Sequence, residues 1–248
     1  MEQVPFVLSG GGARGVAHIG VLDACAEAGI LPSAISATSA GALVGAFIAA
    51  GWSPKELSRL VRDEWGLHLT RWRVLRGDRL TQRSIGDLLE AHLGASTFEG
   101  LRIPFHVSAT DFVTGAQCIF SSGPLVPALL AASAVPVVFP AMVIDGVPYV
   151  DGGLSNNLPI EPFTDRRAET IAVYVNPLPP WKDRRRVAAT IDRVFHLSFR
   201  PMVARSAAGC RLYIEPPELA RFGMFDLRHL AEIERVGYAY AKEVLAKG

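Results

Sequence analysis

The chain has 248 residues, half of them hydrophobic, and 25 basic residues against 24 acidic leave a net charge of +1. That length fills one α/β domain, whereas two domains would each have a small core. The near-neutral charge excludes a global pull toward nucleic acid or anionic lipid.

Cys25, Cys118 and Cys210 are scattered and match neither a metal-ligand spacing nor a disulfide framework, so they read as reduced structural thiols. No basic region or cleavage site precedes the first apolar run, so no signal peptide is expected. Residues 125–144 carry no charge but are broken by Pro127, Pro136 and Pro140, which suits a buried helix, a turn and a strand better than a membrane span. Residues 34–51 are also uncharged, yet Ser36, Thr38 and Ser39 fit a strand, a turn and a buried helix. The expectation is a soluble cytoplasmic protein.

Residues 4–9 form a short apolar run ending at glycines, as a buried parallel strand does. A helix over 15–28 closes at Gly29. A second strand is expected over 34–38 and a second helix over 40–50. Ser53-Pro54-Lys55-Glu56 is a capping box with proline at the first helical position, and starts a helix running to about residue 63. Residues 81–93 space Ile85, Leu88, Leu89 and Leu93 as one helical face. Strands follow at 103–110 and 117–120, turning at Thr114-Gly115, and residues 124–133 read as helix. Asp145-Gly146 is a hairpin turn between 142–144 and 147–149. Buried strands are expected at 170–175 and 212–214, and helices at 187–208 and 226–245. Residues 177–186 read as a mobile surface loop. The alternation of strands and helices predicts a three-layer α/β/α fold around a mainly parallel central sheet, in one domain spanning residues 1–248.

Three elements carry chemistry. The first is Gly10-Gly11-Gly12-Ala13-Arg14-Gly15, between a strand and a helix. Its spacing also fits G-x-G-x-x-G, but a dinucleotide site wants an acidic residue about 20 positions on, and no Asp or Glu lies between Ala28 and Pro54. A phosphate-binding P-loop lacks its Gly-Lys-Ser/Thr. A packing turn alone does not explain three consecutive glycines. Such a loop can expose N–H groups to a developing oxyanion, each donor worth about 3 kcal/mol in a transition state. Arg14 reads as a loop-holding residue, with contact to a phosphate as its alternative.

The second element, Ala37-Thr38-Ser39-Ala40-Gly41, joins a strand to an apolar helix, the context of a nucleophile elbow. The helix directs its positive end at Ser39. The third is Asp151-Gly152-Gly153, which supplies an acidic partner or, in its plainer reading, a turn cap. Glycine-loop donors, a serine on a tight turn and a carboxylate are the minimum for acyl transfer through a serine. A Ser-His-Asp triad is an alternative: His196 and His229 follow in the required order, though both fall in helical patterns.

These elements and their order resemble the bacterial branch of the patatin-like phospholipase family. Asp151 through Pro159, with Asn156 and Asn157, resembles its D-G-G/A segment and the N-x-P region after it. Ser108-Ala109-Thr110-Asp111, Phe120-Ser121-Ser122-Gly123 and residues 132–140 extend the match over most of residues 5–160. The resemblance implies a lipid acyl hydrolase with Ser39 as nucleophile and Asp151 as its base. It also implies an oxyanion hole from the loop holding Gly10, Gly11, Gly12, Ala13, Arg14 and Gly15, with its donors among the backbone groups of Gly11, Gly12 and Ala13, the sequence leaving open which of them donate. The chain departs from the family's G-x-S-x-G at Ala37, where the first glycine belongs, while Gly41 keeps the second. An alanine needing positive φ there would cost roughly 1 kcal/mol. Gly152 and Gly153 complete the acid loop. No metal, cofactor or nucleic acid is implied, and the partner is a lipid or other acyl ester.

Residues 65–80 set Trp65, Leu67, Leu69, Trp72, Val74 and Leu75 among Arg71, Arg73, Arg76 and Arg79, which suits either a cover for the core or a lid contacting membrane surfaces transiently. Arg184-Arg185-Arg186 reads as a solvated loop. A non-catalytic regulatory or binding module remains the alternative because of Ala37, and a serine peptidase or thioesterase on the same dyad is a third reading.

Overall fold

The computed structural model describes residues 1–65, 82–178 and 187–247. The candidate lid, apart from its first residue, and the arginine run at 184–186 lie outside them. Eight strands form one sheet: β1 (Glu2–Leu8), β2 (Ile30–Thr38), β3 (Phe105–Asp111), β4 (Gln117–Phe120), β5 (Met142–Ile144), β6 (Val147–Asp151), β7 (Ile171–Val173) and β8 (Leu212–Ile214). Their order is β5-β6-β3-β2-β1-β7-β8, with β4 also paired to β3. The stretch from β3 through β2, β1 and β7 to β8 is parallel, while β4, β5 and β6 are antiparallel.

The helices of the described residues are α1 (Ala17–Glu27), α2 (Ser39–Ala49), α3 (Pro54–Leu60), α4 (Gln82–His92), α5 (Leu125–Ala132), α6 (Val187–Ala207) and α7 (Leu230–Leu245). Side-chain alternation along the strands divides the core into two layers. Phe6, Leu8, Ile35, Ala37, Ile171 and Val173 face one cluster together with residues of α1, α2, α5 and α7. Val7, Ala34, Ala172 and Tyr174 face a second, with Leu158, Ile160, Phe163 and Val203 of α6. Strands buried on both faces read as continuous apolar runs, which is why β1 showed no alternation in sequence. The three-layer expectation holds.

Local chemistry sets several boundaries. The Ser53 capping box is present: its side chain accepts from the Glu56 N–H and Glu56 from the Ser53 N–H. The α-helix after it stops at Leu60 and continues as a wider turn over Val61–Trp65. The first helix begins with a tight turn at Gly12–Val16, so α1 starts two residues later than expected, at Ala17. Asp145 and Gly146 both have positive φ, 50° and 81°, as a two-residue hairpin requires. The last helix begins at Leu230, because residues 226–229 form a turn. It crosses α1 in backbone contact: a Cβ on Gly20 would lie 2.1 Å from Glu234 O, and one on Gly237 2.3 Å from Ala17 O. Among the described residues, no helix is long and apolar enough to cross a membrane.

Candidate active site

The register of β3 brings two chain-distant residues together. Val107 and Ser108 pair with β2 and also with β4; Ala109 and Thr110 pair with β6 and again with β4. With β4 on one edge of β3, β2 and β6 occupy successive stretches of the other. Thr38 pairs with Ser108 and Asp151 with Ala109, so the strands end facing each other. The Thr38 hydroxyl donates to Ser108 O at 2.9 Å, and Thr110 Oγ1 donates to Asp151 O at 3.0 Å. Gly152 then passes against the junction, where a Cβ would lie 2.0 Å from Ser108 O.

Ser39 opens α2 with φ 51°, in the left-handed region, although it is not glycine. That conformation costs an L-residue about 1–2 kcal/mol and marks a strained turn. Ser39 is 6% exposed, at the positive end of α2. Ala37 lies within β2, fully buried and paired with Leu8 and Val107. It is not among the described residues with positive φ, so its methyl group creates no backbone strain. Gly41 is constrained instead: a Cβ there would lie 2.4 Å from Ser9 O and 2.7 Å from Leu8 O.

Asp151 is also 6% exposed. Burial pushes its carboxyl up to about 6, partly opposed by the neighbouring Ser39 hydroxyl and by a hydrogen bond from the Gly153 N–H at 2.8 Å. No histidine contributes to that shift. His229 is exposed and pairs its Nδ1 with Asp226 Oδ1 at 2.9 Å, while His196 falls within α6. The triad alternative has no support from the partners described for Asp151.

The glycine loop runs beside Ser39. A Cβ on Gly10 would lie 3.0 Å from Ser39 Cβ and 3.6 Å from its Oγ. The N–H groups of Gly10, Gly11 and Gly12 have no hydrogen-bond partner among the described residues. Ala13, expected among the donors, gives its N–H to Met224 O at 2.7 Å, so the free donors are the three glycines. Gly12 has φ 56°, and a Cβ there would lie 2.3 Å from Met224 O, so only glycine fits. Gly15 packs against Ala40, the residue after Ser39. Arg14 is buried and holds the loop: Nε and Nη2 donate to Phe222 O at 2.8 and 2.6 Å, and Nη1 to Asn176 Oδ1 at 3.4 Å.

Sequence reading missed Asn176, whose Nδ2 donates to Gly10 O at 2.6 Å, and His18, whose Nε2 meets Ser9 O at 2.8 Å. A buried polar residue three positions beyond a parallel strand's C-terminal end was the available signal for Asn176. Asn157 fills the space between the two glycine segments, near Gly10 and Gly153, and its buried Oδ1 has no partner among the described residues. No group of metal-ligating side chains occurs among the described residues. Next to Gly12 and Ala40 lies a small apolar cavity of about 30 Å³, walled by Leu43, Phe47, Leu57 and Leu88.

The sequence matches the family described as patatin-like phospholipase over residues 6–164. The chain belongs to this family. An uncharacterized NTE family protein of Mycobacterium tuberculosis is 36% identical over 182 residues, covering 70% of this chain and 49% of the relative. The lysophospholipase NTE1 of Kluyveromyces lactis is 25% identical over 278 residues, covering 98% of this chain and 19% of that protein. The chain therefore spans about half the length of the mycobacterial relatives it matches. In structure, VipD from Legionella pneumophila aligns with a TM-score of 0.67 at 15% identity, over 99% of this chain and 67% of that one, and shares the fold. The patatin-like expectation for family and fold is thereby met.

Proposed function

We propose that this patatin-like chain is a serine acyl hydrolase acting on lipid or related acyl esters through Ser39 and Asp151. The observation that supports it most is a buried carboxyl, raised to about 6, on which the hydroxyl of Ser39, held at φ 51°, acts to favour the ionised form. A carboxylate of ordinary pKa is a weak base for a hydroxyl; desolvation strengthens Asp151 while leaving it ionised at neutral pH.

In the proposed reaction, Ser39 Oγ bonds to the ester carbonyl carbon as Asp151 takes its proton. The carbonyl electron pair moves onto oxygen, where the free N–H groups of Gly10, Gly11 and Gly12 stabilise it. The intermediate collapses, the C–O bond to the alcohol breaks, and Asp151 returns the proton to the leaving oxygen. Water, deprotonated by Asp151, then attacks the acyl carbon, the C–O bond to Ser39 breaks, and Asp151 returns the proton to Ser39 Oγ as the acid is released. Ala13 is left out of the donor set because its N–H is occupied.

The Kluyveromyces relative is named a lysophospholipase, which supports a lipid ester as the substrate. Transient contact with a lipid surface belongs to the same reading. Phe112 and Val113 stand exposed just past the end of β3, and exposed Val137 lies in the segment that follows Ala134, whose carbonyl accepts the Asp151 N–H.

Hydrolysis of p-nitrophenyl acetate, octanoate and laurate tests this proposal. Turnover that rises with chain length and is lost in Asp151→Asn is expected. A folded protein inactive on all three would favour a binding module instead.

A further inference from the structure

The three unpartnered N–H groups of the glycine loop belong to three consecutive peptide planes, and each plane is held from its opposite side. A trans peptide directs its C=O and N–H in opposite directions, and no peptide bond among the described residues is cis. The plane carrying the Gly10 N–H has Ser9 O at its other end, met by His18 Nε2 at 2.8 Å. The plane carrying the Gly11 N–H has Gly10 O, which accepts from Asn176 Nδ2 at 2.6 Å and from Ser9 Oγ at 3.0 Å. The plane carrying the Gly12 N–H has Gly11 O, which accepts from the Arg14 N–H at 3.1 Å.

Glycine has the widest choice of backbone angles, so a run of three needs external restraint to present its donors in one direction. Two of the restraints come from side chains on other elements. His18 sits on α1, fully buried, with a burial-lowered pKa of about 4 that leaves the ring neutral. Its Nε2 must carry the proton to donate to a carbonyl, which leaves Nδ1 as an acceptor, and Nδ1 is buried with no partner among the described residues. A polar ring buried for a single hydrogen bond does little for stability, since an unpaired buried acceptor costs about 1–3 kcal/mol. Asn176 follows β7, is 4% exposed, and has its other amide atom on Arg14.

We infer that His18 and Asn176 are positioning residues that aim the glycine-loop donors by anchoring the carbonyls behind them. Neither touches the substrate in this arrangement; both act through the peptide planes of residues 9–11. The inference rests on the proposed hydrolase reading and adds to it the groups that make the loop a preorganised anion site. Preorganised donors act on the transition state, so their misalignment lowers kcat with little change in substrate binding.

The test uses the full chain and two readouts, the rate of Ser39 labelling by a fluorophosphonate and the kcat and KM for p-nitrophenyl octanoate. In Asn176→Asp a carboxylate keeps the shape and strengthens the contact with Arg14, so the fold is retained, but no donor faces Gly10 O. In His18→Phe the ring volume remains and the donor is lost, while His18→Gln restores an N–H. Expected is a loss of roughly 10- to 100-fold in labelling rate and kcat for Asn176→Asp and His18→Phe, with KM within about twofold. His18→Gln should recover most of the loss. Wild-type kcat in either defective variant, a loss carried by KM alone, or a His18→Gln no better than His18→Phe would overturn the inference. An unlabelled wild-type Ser39 would instead remove the hydrolase reading beneath it, whereas a labelled wild type with unimpaired variants removes this inference alone.

Discussion

Thr38 and Asp151 lie against consecutive residues of β3, Thr38 opposite Ser108 and Asp151 opposite Ala109. Ser39 follows Thr38 directly, so the approach of the Ser39 hydroxyl and the Asp151 carboxylate is set by sheet register rather than by loop conformation. Strand pairing fixes position more tightly than a loop does, which suits a site whose geometry must hold within fractions of an ångström.

The raised Asp151 pKa makes stability depend on pH. The folded group binds its proton up to about pH 6, whereas an unfolded aspartate releases it near 3.9. Between those values the folded state holds more protons, so the contribution of Asp151 to stability falls as pH rises from about 4 to 6 and then levels off. Asp151→Asn removes this loss and should stabilise the protein at pH 7 by about 2–3 kcal/mol while leaving it nearly unchanged at pH 3.5. Urea denaturation at both pH values measures this. A destabilised Asn variant at pH 7 would mean that the carboxylate is well solvated.

The strain at Ser39 should be separable from its chemistry. Glycine accepts φ 51° without penalty, and alanine does not. Ser39→Gly should therefore be more stable than Ser39→Ala by about 1 kcal/mol, although both lack the Ser39 hydroxyl. Equal melting temperatures for the two variants would show that the turn relaxes.

Ala37 and Gly41 should respond in opposite ways. Ala37→Gly removes a fully buried methyl from an extended strand, costing about 1 kcal/mol of stability without raising kcat. Gly41→Ala forces a carbon to within 2.4 Å of Ser9 O, shifts the glycine loop, and should abolish ester hydrolysis. A gain in kcat of tenfold or more for Ala37→Gly would mean that the Ala37 methyl does hold the elbow away from its productive shape.

These contrasts show what the sequence made legible. Ser39, Asp151 and the glycine run stood out because their residue types are specific and their strand-turn-helix context is local. The strand at residues 117–120 and the capping box at Ser53 were equally readable, since each depends on neighbours in the chain. Asn176, His18 and the occupation of the Ala13 N–H by Met224 were not, because their hydrogen bonds join segments far apart in sequence. His18 lies only nine residues from Ser9, yet a histidine on a buried helix face gives no sign of which carbonyl it meets. The backbone of Ala37 was likewise undetermined until its pairing with Leu8 and Val107 fixed it as extended.

Activation of Ser39 by Asp151 is the step on which the proposed chemistry depends. Fluorophosphonate labelling read by intact mass tests it most directly, with wild type beside Ser39→Ala and Asp151→Asn. The predicted result is one adduct on wild type, none on Ser39→Ala, and labelling slowed by at least about a hundredfold in Asp151→Asn. Labelling that survives in Ser39→Ala, or a folded wild-type protein that takes up no label, would contradict it.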